Sequence, residues 1–179
     1  GGFPEVITTG KLEYLKQYYG DILERDIIKR YEIRDVAALQ KMGAYLVSSS
    51  GKTVSLATLQ DLYKLNYETV MAYLSYFKDS FLLFELPQFS YSLRTSQKAL
   101  KKIYCIDTGL ANNVSFKFSH DYGRMLENAV FLHLRRGNKE IYYFRGDNDI
   151  EVDFVVKDRE NIEELIQATW DISDKKTLD

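Results

Sequence analysis

The spacing of apolar residues changes once along this chain of 179 residues, and that change restricts the folds it can adopt. Over roughly the first 80 residues, apolar side chains recur every three or four positions, which indicates amphipathic helices. Short apolar runs separated by turn residues follow, which is typical of strands. One further helical pattern, GRMLENAVFLHLRR at 123–136, interrupts them. The sequence therefore predicts an α+β protein that is helical first and rich in sheet afterwards.

The helices and strands of the first part follow the order of a winged helix-turn-helix. Over 10–33 we expect either one helix interrupted near Gly20 or two short helices. A helix capped by Asp35, a short helix capped by Ser55 and a helix over 68–79 follow. Strands are predicted in FLLFELP at 81–87, FSYSL at 89–93 and KKIYCID at 101–107. This order predicts a helical and winged-helix domain over residues 1–110.

The last third predicts a different module. After the helix at 123–136, strands are expected in EIYYFR at 140–145, DIEVDFVV at 149–156 and ELIQATW at 164–170. One helix followed by three strands is the front half of an α/β domain. We therefore assign residues 111–179 to a second, truncated module that lacks a covering helix.

Charge divides the chain in a similar way. The net charge of −2 is the sum of a neutral first part, a basic middle over 48–106 and an acidic part from 107 onwards. The single cysteine, Cys105, forms no internal disulfide, which predicts an intracellular, cytoplasmic protein. With two histidines and one cysteine there is no zinc-ligand cluster, and no apolar run reaches the length of a membrane helix.

The string SGKT at 50–53 resembles the end of a phosphate-binding P-loop. That loop needs a first glycine at position 46, where this chain has Leu46, and it follows a strand rather than a helix. We interpret the string as a helix end, so no ATP site is expected in this chain.

Basic residues gather on the predicted hairpin. No acidic residue occurs between Leu86 and Ile106. A cationic wing of this kind can follow a nucleic-acid backbone without reading sequence. The predicted nucleic-acid-binding residues are Arg94, Lys98, Lys101 and Lys102, interleaved with Tyr91. A solvated hairpin or a protein-docking surface is the alternative.

Carboxylates in the acidic part offer a candidate catalytic and metal site. Glu127 lies on the predicted helix, Asp153 in the middle strand and Gln167 in the last one. Oxygen ligands in this pattern suit Mg²⁺, which can activate water against a phosphodiester. The alternative is that these are exposed polar positions on half-buried strands.

Five separated strings resemble, in order, the C-terminal region of a prokaryotic family of AAA-type ATPases, a region usually classed as a domain of unknown function. They are GGFPEV at 1–6, ILERDI at 22–27, KKIYCIDTGL at 101–110, GRMLENAVF at 123–131 and YYFRGDNDIEVDFVV at 142–156. The resemblance implies a fragment that follows an ATPase domain, and ATP is expected only in that missing domain.

The tail also resembles the PD-(D/E)xK nuclease fold. By position, Glu127 and Asp153 match the metal-binding acids, Gln167 falls on the second acidic position and Thr169 on the lysine position. Thr169 supplies no cation; Lys157, Lys175 and Lys176 are the alternative lysines, and no spacing argument selects one of them. The resemblance implies a degenerate, non-cleaving site in a module that binds nucleic acid or a protein partner. An active endonuclease and a pure protein-interaction module are the alternatives.

Overall fold

The computed structural model describes residues 2–114, 121–137, 139–146 and 150–170. It is a mixed α+β structure with two small antiparallel sheets, as the change in apolar spacing predicts. The helices are α1 (Pro4–Thr9), α2 (Glu13–Asp21), α3 (Val36–Ser48), α4 (Leu56–Tyr63), α5 (Tyr67–Asp79), α6 (Leu93–Lys98), α7 (Thr108–Val114) and α8 (Tyr122–Arg135). The strands are β1 (Lys52–Val54), β2 (Leu83–Leu86), β3 (Lys101–Cys105), β4 (Glu140–Arg145), β5 (Glu151–Asp158) and β6 (Asn161–Ile166).

The predicted interruption of the first long helix is a change of pitch. Helix α2 continues directly into a π-helical segment, Ile22–Ile28, in which the amide of Lys29 donates to the carbonyl of Glu24 at 3.0 Å. The wider turn lets Leu23 and Ile27 both reach the core after Leu15 has done so on α2. A π-segment therefore replaces the break expected near Gly20.

Of the two predicted helix caps, Asp35 is confirmed, whereas Ser55 precedes α4 without a capping side-chain hydrogen bond. Asn66, which the sequence analysis does not single out, caps α5. Asp35 accepts a hydrogen bond from the amide of Ala38 at 2.9 Å, and Asn66 accepts one from Thr69 at 2.8 Å. Each bond satisfies a backbone donor that the first turn leaves open. The helices so placed surround a core that includes Leu39, Met42, Leu46, Val70 and Phe77.

Strand β3 is the centre of the first sheet, whose order is β1-β3-β2. It pairs antiparallel with both neighbours, and Ile103 lies opposite Lys52 on one side and Glu85 on the other. Ile103 and Cys105 enter the helical core, while Tyr104 enters a second apolar cluster. Because successive side chains point to opposite faces, β3 is buried on both faces.

The second sheet, of order β4-β5-β6, is joined to the first part by backbone hydrogen bonds. The amide of Tyr143 donates to the carbonyl of Pro87 at 3.0 Å, and the amide of Phe89 donates to the carbonyl of Tyr143 at 2.6 Å. The second apolar cluster draws on both predicted domains: Phe84, Leu86, Tyr104, Phe131, Tyr143 and Phe154. The boundary at 110/111 stays a prediction, and the two segments share this cluster.

The middle of the chain differs from the sequence prediction at 89–93 and agrees with it at the SGKT string. The predicted strand at 89–93 is wrong: the chain there forms a loop that leads into α6, and Ser92 caps that helix by accepting from Thr95 at 3.4 Å. The SGKT string runs from the turn after helix α3 into strand β1, an order opposite to that of a P-loop. No helix among the described residues combines the length and the apolar character needed to cross a membrane.

Gly51 is required at the turn from α3 into β1. Its φ is +80°, and a Cβ there would lie 3.1 Å from Oε2 of Glu127. We expect Gly51→Ala to lower the free energy of unfolding by about 1–3 kcal/mol, since a left-handed conformation and a close carboxylate both oppose the methyl group. Urea unfolding followed by circular dichroism measures the change.

The matched control is Gly20→Ala in α2, where an added Cβ meets nothing within 4 Å. Replacing a glycine inside a helix should raise the stability by about 0.5–1 kcal/mol. Equal effects of the two substitutions would contradict the special role of Gly51.

Candidate functional site

A buried lysine lies at the centre of the candidate site. The Nζ atom of Lys102 is 3.0 Å from Oε1 of Glu127, 2.7 Å from Oε1 of Glu151 and 3.2 Å from Oδ1 of Asp153. We call these four residues the Lys102 cluster. Three elements, β3, α8 and β5, supply its members, so three separate parts of the chain meet at one ammonium group.

The alternation of β3 explains why Lys102 is inside. Lys102 shares a face with Tyr104, and that face packs against α8 and the second sheet. Its exposed fraction is 3%. The prediction that Lys102 contacts nucleic acid is therefore wrong, because its ammonium is buried and surrounded by carboxylates.

Two hydrogen bonds hold the carboxylate of Glu127 in addition to its position on α8. Tyr104 donates its hydroxyl to Oε1 of Glu127 at 2.6 Å, and Lys102 donates to the same oxygen. Gly51 leaves room for the other oxygen, Oε2. Asp121 fixes the start of α8 by accepting from the amide of Arg124 at 3.2 Å. The helix thus presents Glu127 inward in a single orientation.

The structure brings Asp153 and Gln167 to the same place. The amide of Asp153 donates to Oε1 of Gln167 at 3.3 Å, and Oδ2 of Asp153 accepts from the amide of Ala168 at 3.0 Å. Glu127 and Asp153 meet through Lys102, whereas Gln167 contacts the backbone of β5. The three predicted site residues are therefore neighbours, and their catalytic and metal-binding roles stay predictions.

Sequence reasoning missed Glu151, Tyr104 and the true position of Lys102. A signal for each was present, because Glu151 shares a strand face with Asp153 and Lys102 shares one with Tyr104. What the strand pattern does not show is which two faces pack together. Of the substitutes predicted for the missing lysine, Lys157 lies 3.8 Å from Glu140. Lys175 and Lys176 lie outside the described residues.

Burial and charge shift the titration of the cluster in opposite ways. Burial alone would lower the pKa of Lys102, but Glu127, Glu151 and Asp153 outweigh it and raise the pKa above its usual value. Burial raises the pKa of Glu127, against the opposing effect of Lys102 and the Tyr104 hydroxyl. Burial, with the charge of Glu127, also raises the pKa of Tyr104. Lys102 therefore stays charged and Tyr104 stays neutral at physiological pH.

The cluster has the ligand chemistry of a metal site, but an ammonium group occupies its centre. The three N–H donors of Lys102 face three carboxylates, which leaves the lysine none to offer a substrate. Within the residues that the structure describes, no group of three or more acidic, histidine or cysteine side chains is arranged to hold a metal ion. The predicted Mg²⁺ has no support from this arrangement and stays a prediction.

Asn128, next to Glu127, ties α8 to the backbone of β3. Its Oδ1 accepts from the amide of Cys105 at 3.0 Å and from the hydroxyl of Ser50 at 2.6 Å, and its Nδ2 donates to the carbonyl of Cys105 at 3.1 Å. The amide of Gly51 bonds the carbonyl of Ile103. Asn128 thus continues the row of hydrogen bonds along β3 past Lys52, the first residue of β1.

The other predicted nucleic-acid contacts lie elsewhere, between β2 and β3. Arg94 and Lys98 are exposed on α6, and the ring of Tyr91 has an exposed fraction of 93%. Lys101 is partly exposed and lies 3.0 Å from Glu85, which it shares with Lys78. The structure therefore separates the predicted basic group into three surface cations and one buried one.

We expect Lys102→Met to lower the free energy of unfolding by about 3–5 kcal/mol at neutral pH, because the buried carboxylates of Glu127 and Asp153 lose the cation that pairs with them. The neighbouring Lys101→Met is the matched control and should cost about 0.2–1 kcal/mol, as an exposed pair does. Chemical unfolding at pH 7 measures both. Similar losses in the two variants would contradict the buried cluster.

The pH dependence gives a second readout of the same variant. The pKa of Lys102 is raised in the folded protein, so its stabilisation is complete below the unfolded pKa of about 10.4 and is lost as the pH rises through the folded value. The difference in the free energy of unfolding between the natural protein and Lys102→Met should therefore be constant from pH 7 to about 10 and become smaller at higher pH.

Comparison with known proteins places the chain in a family. It is 35% identical over 187 residues to the uncharacterized protein MJ1544 of Methanocaldococcus jannaschii, in a match that covers 97% of this chain and 41% of that protein. The chain thus spans about two fifths of the length of this relative. No solved structure matches the chain. Neither match refers to AAA-type ATPases or nucleases, so that resemblance stays a prediction. Residues 1–121 match the family described as a domain of unknown function, DUF8612, and the chain belongs to that family.

Proposed function

We propose that this chain is a non-catalytic binding module of a longer ATP-hydrolysing protein. It contacts nucleic acid through the residues between β2 and β3, and its nuclease-like site does not cleave. The proposal that the site does not cleave is supported by the position of the Lys102 ammonium, within 3.2 Å of three carboxylates.

The order of elements supports a winged-helix module over 36–105. Helix α3, strand β1, helices α4 and α5 and strands β2 and β3 follow one another, and the sheet order is β1-β3-β2. In a winged helix-turn-helix the second helix of the turn meets the nucleic acid, and the loop between the last two strands forms the wing. By this order α5 is the recognition helix, and residues 87–100 are the wing segment.

Charge favours contact through the wing segment rather than through α5. The exposed positions of α5 include Tyr67, Glu68 and Met71, which are poorly suited to phosphates or guanine edges. The wing segment has no acidic residue and exposes Arg94 and Lys98. Such a surface binds the backbone and does not read sequence.

The nuclease-like interpretation of the second module rests on the meeting of Glu127, Asp153 and Gln167. A helix glutamate, a strand aspartate and Gln167, which directly follows the last strand β6 rather than lying in it, come together in the order that the PD-(D/E)xK resemblance implies. A divalent ion at their centre would have to displace the ammonium of Lys102. Since breaking a buried ion pair is costly, the cluster favours a structural role over metal binding.

We expect the double variant Arg94→Gln/Lys98→Gln to weaken binding to duplex DNA. Each lost phosphate contact should reduce the slope of log K against log salt by about 0.9. Fluorescence anisotropy over a salt series measures it. The control is Lys16→Gln/Arg34→Gln, which removes the same charge from exposed positions on α2 and before α3. Binding that is absent or insensitive to salt would contradict the proposal and favour a protein partner.

A metal-dependent endonuclease is the second candidate, because Lys102 brings to Glu127 and Asp153 the cation that Thr169 does not supply. Our proposal predicts no nicking of supercoiled DNA by the chain or by a full-length relative in MgCl₂ or MnCl₂. Nicking that Asp153→Asn abolishes, with unchanged circular dichroism, would establish the second candidate instead. Thr169→Lys in the same assay shows whether restoring a lysine there is sufficient for activity.

A further inference from the structure

We propose that a groove at the C-terminal end of α8 binds single-stranded nucleic acid, at a site separate from the wing segment. The groove has a volume of about 400 Å³ and lies between the end of α5, β2, α8 and β4. We call it the α8 groove. The residues that carry the argument are Lys78, Phe81, Phe84, Arg135 and Lys139.

Phe81 places an aromatic ring at the edge of the groove where core packing does not require one. Its exposed fraction is 63%, and its φ is +58°, a left-handed conformation that is strained for a side chain of this size. The turn after α5 needs that conformation, since the amide of Phe81 donates to the carbonyl of Lys78 at 2.9 Å. Glycine adopts such a left-handed turn without strain, so a phenylalanine at this position costs conformational free energy.

Arg135 supplies a fixed guanidinium beside that ring. Its Cζ atom lies 3.9 Å from the centroid of Phe84, which orients the planar group against the floor of the groove. Among the described residues no carboxylate pairs with Arg135. The N–H groups at the edge of its plane are therefore directed at solvent and available to an anion.

The positive charge continues from the α8 groove around the end of the helix. A second groove, of about 510 Å³, is lined by His133, Arg136, Lys139 and Glu164, so Lys139 borders both grooves. No acidic residue occurs from Asn128 to Lys139. Glu85, the acid of the first groove, is already bound by two lysines. Lys78 is paired with Glu85 and Lys139 with Glu163. Among the described residues, the cations of the two grooves that have no carboxylate partner are Arg135 and Arg136, at the end of α8.

This combination of groups suits an unpaired nucleotide chain. Proteins that bind single strands without sequence preference combine a cationic groove with aromatic faces on which bases stack. A duplex keeps its bases stacked and offers no free base face to Phe81. An acidic peptide would satisfy the cations but has no general need of an exposed ring, so we assign the groove to single strands.

The test uses the whole chain and a fluorescein-labelled oligothymidylate, with binding followed by anisotropy. Phe81→Gly removes the ring and suits the left-handed turn, and we expect it to weaken binding about fivefold or more. Arg135→Gln should weaken binding and reduce the salt slope by about 0.7. Lys139→Gln should act in the same direction, which provides a second charge variant if Arg135→Gln is poorly folded.

Two matched controls leave the groove intact. Arg30→Gln removes an exposed guanidinium that lies 5.4 Å from the ring of Tyr31, and Glu32→Gly places glycine at another residue of positive φ, 49°. Neither should change the affinity. Arg94→Gln/Lys98→Gln should weaken the binding of duplex DNA and leave the affinity of the groove for oligothymidylate unchanged. The two proposals, duplex binding by the wing segment and single-strand binding by the α8 groove, can therefore fail independently.

The proposal is overturned if oligothymidylate does not bind, or if Phe81→Gly and Arg135→Gln bind it as tightly as the natural chain. It is also overturned if labelled polyglutamate binds with the same dependence on Phe81 and Arg135 while oligothymidylate does not. That last result would make the groove a site for an acidic peptide.

Discussion

The contact of one buried ammonium with three carboxylates is the constraint on which the rest of the structure depends. Lys102 is on the central strand of the first sheet, and its partners are on α8 and β5. A charge buried in this way is tolerated only when it is paired, so β3, α8 and β5 have to meet. The shared apolar cluster of Phe84, Tyr104 and Phe154 surrounds the same junction. The two predicted modules are therefore coupled by charge as well as by apolar packing.

The Lys102 cluster resembles a catalytic site in its carboxylates, but the ammonium at its centre gives it different chemistry. Glu127 and Asp153 are close enough to share a cation, which is what a metal-dependent nuclease requires. In this chain the shared cation is a lysine ammonium whose pKa the carboxylates raise, so it stays in place over the physiological range. The functions that we propose are therefore located at two surfaces, the wing segment and the α8 groove. Both present cations that the cluster does not neutralise.

The distribution of charge acquires a different meaning once burial is known. The acidic part of the chain has an excess of acids, but Glu127 and Asp153 are buried and contribute little to its surface. The last turn of α8 and the residue after it carry His133, Arg135 and Arg136 without an acid among them. The basic middle likewise contains Lys102, which is not at the surface. Segment totals predict neither surface, because they count buried and exposed charges alike.

The sequence alone determined the local structure. The helix over 36–48 with its Asp35 cap, the helix with Glu127 and strands β4 and β5 follow from side-chain period and capping, which are properties of neighbouring residues. The last strand is predicted at 164–170 but lies at Asn161–Ile166. The sequence also indicated Glu127, Asp153 and Gln167 as neighbours. Only the tertiary structure decided that Lys102 joins them, that 89–93 is not a strand and that Phe81 faces a cationic groove. A two-residue period assigns side chains to a face of β3, but which face meets α8 depends on how distant elements pack.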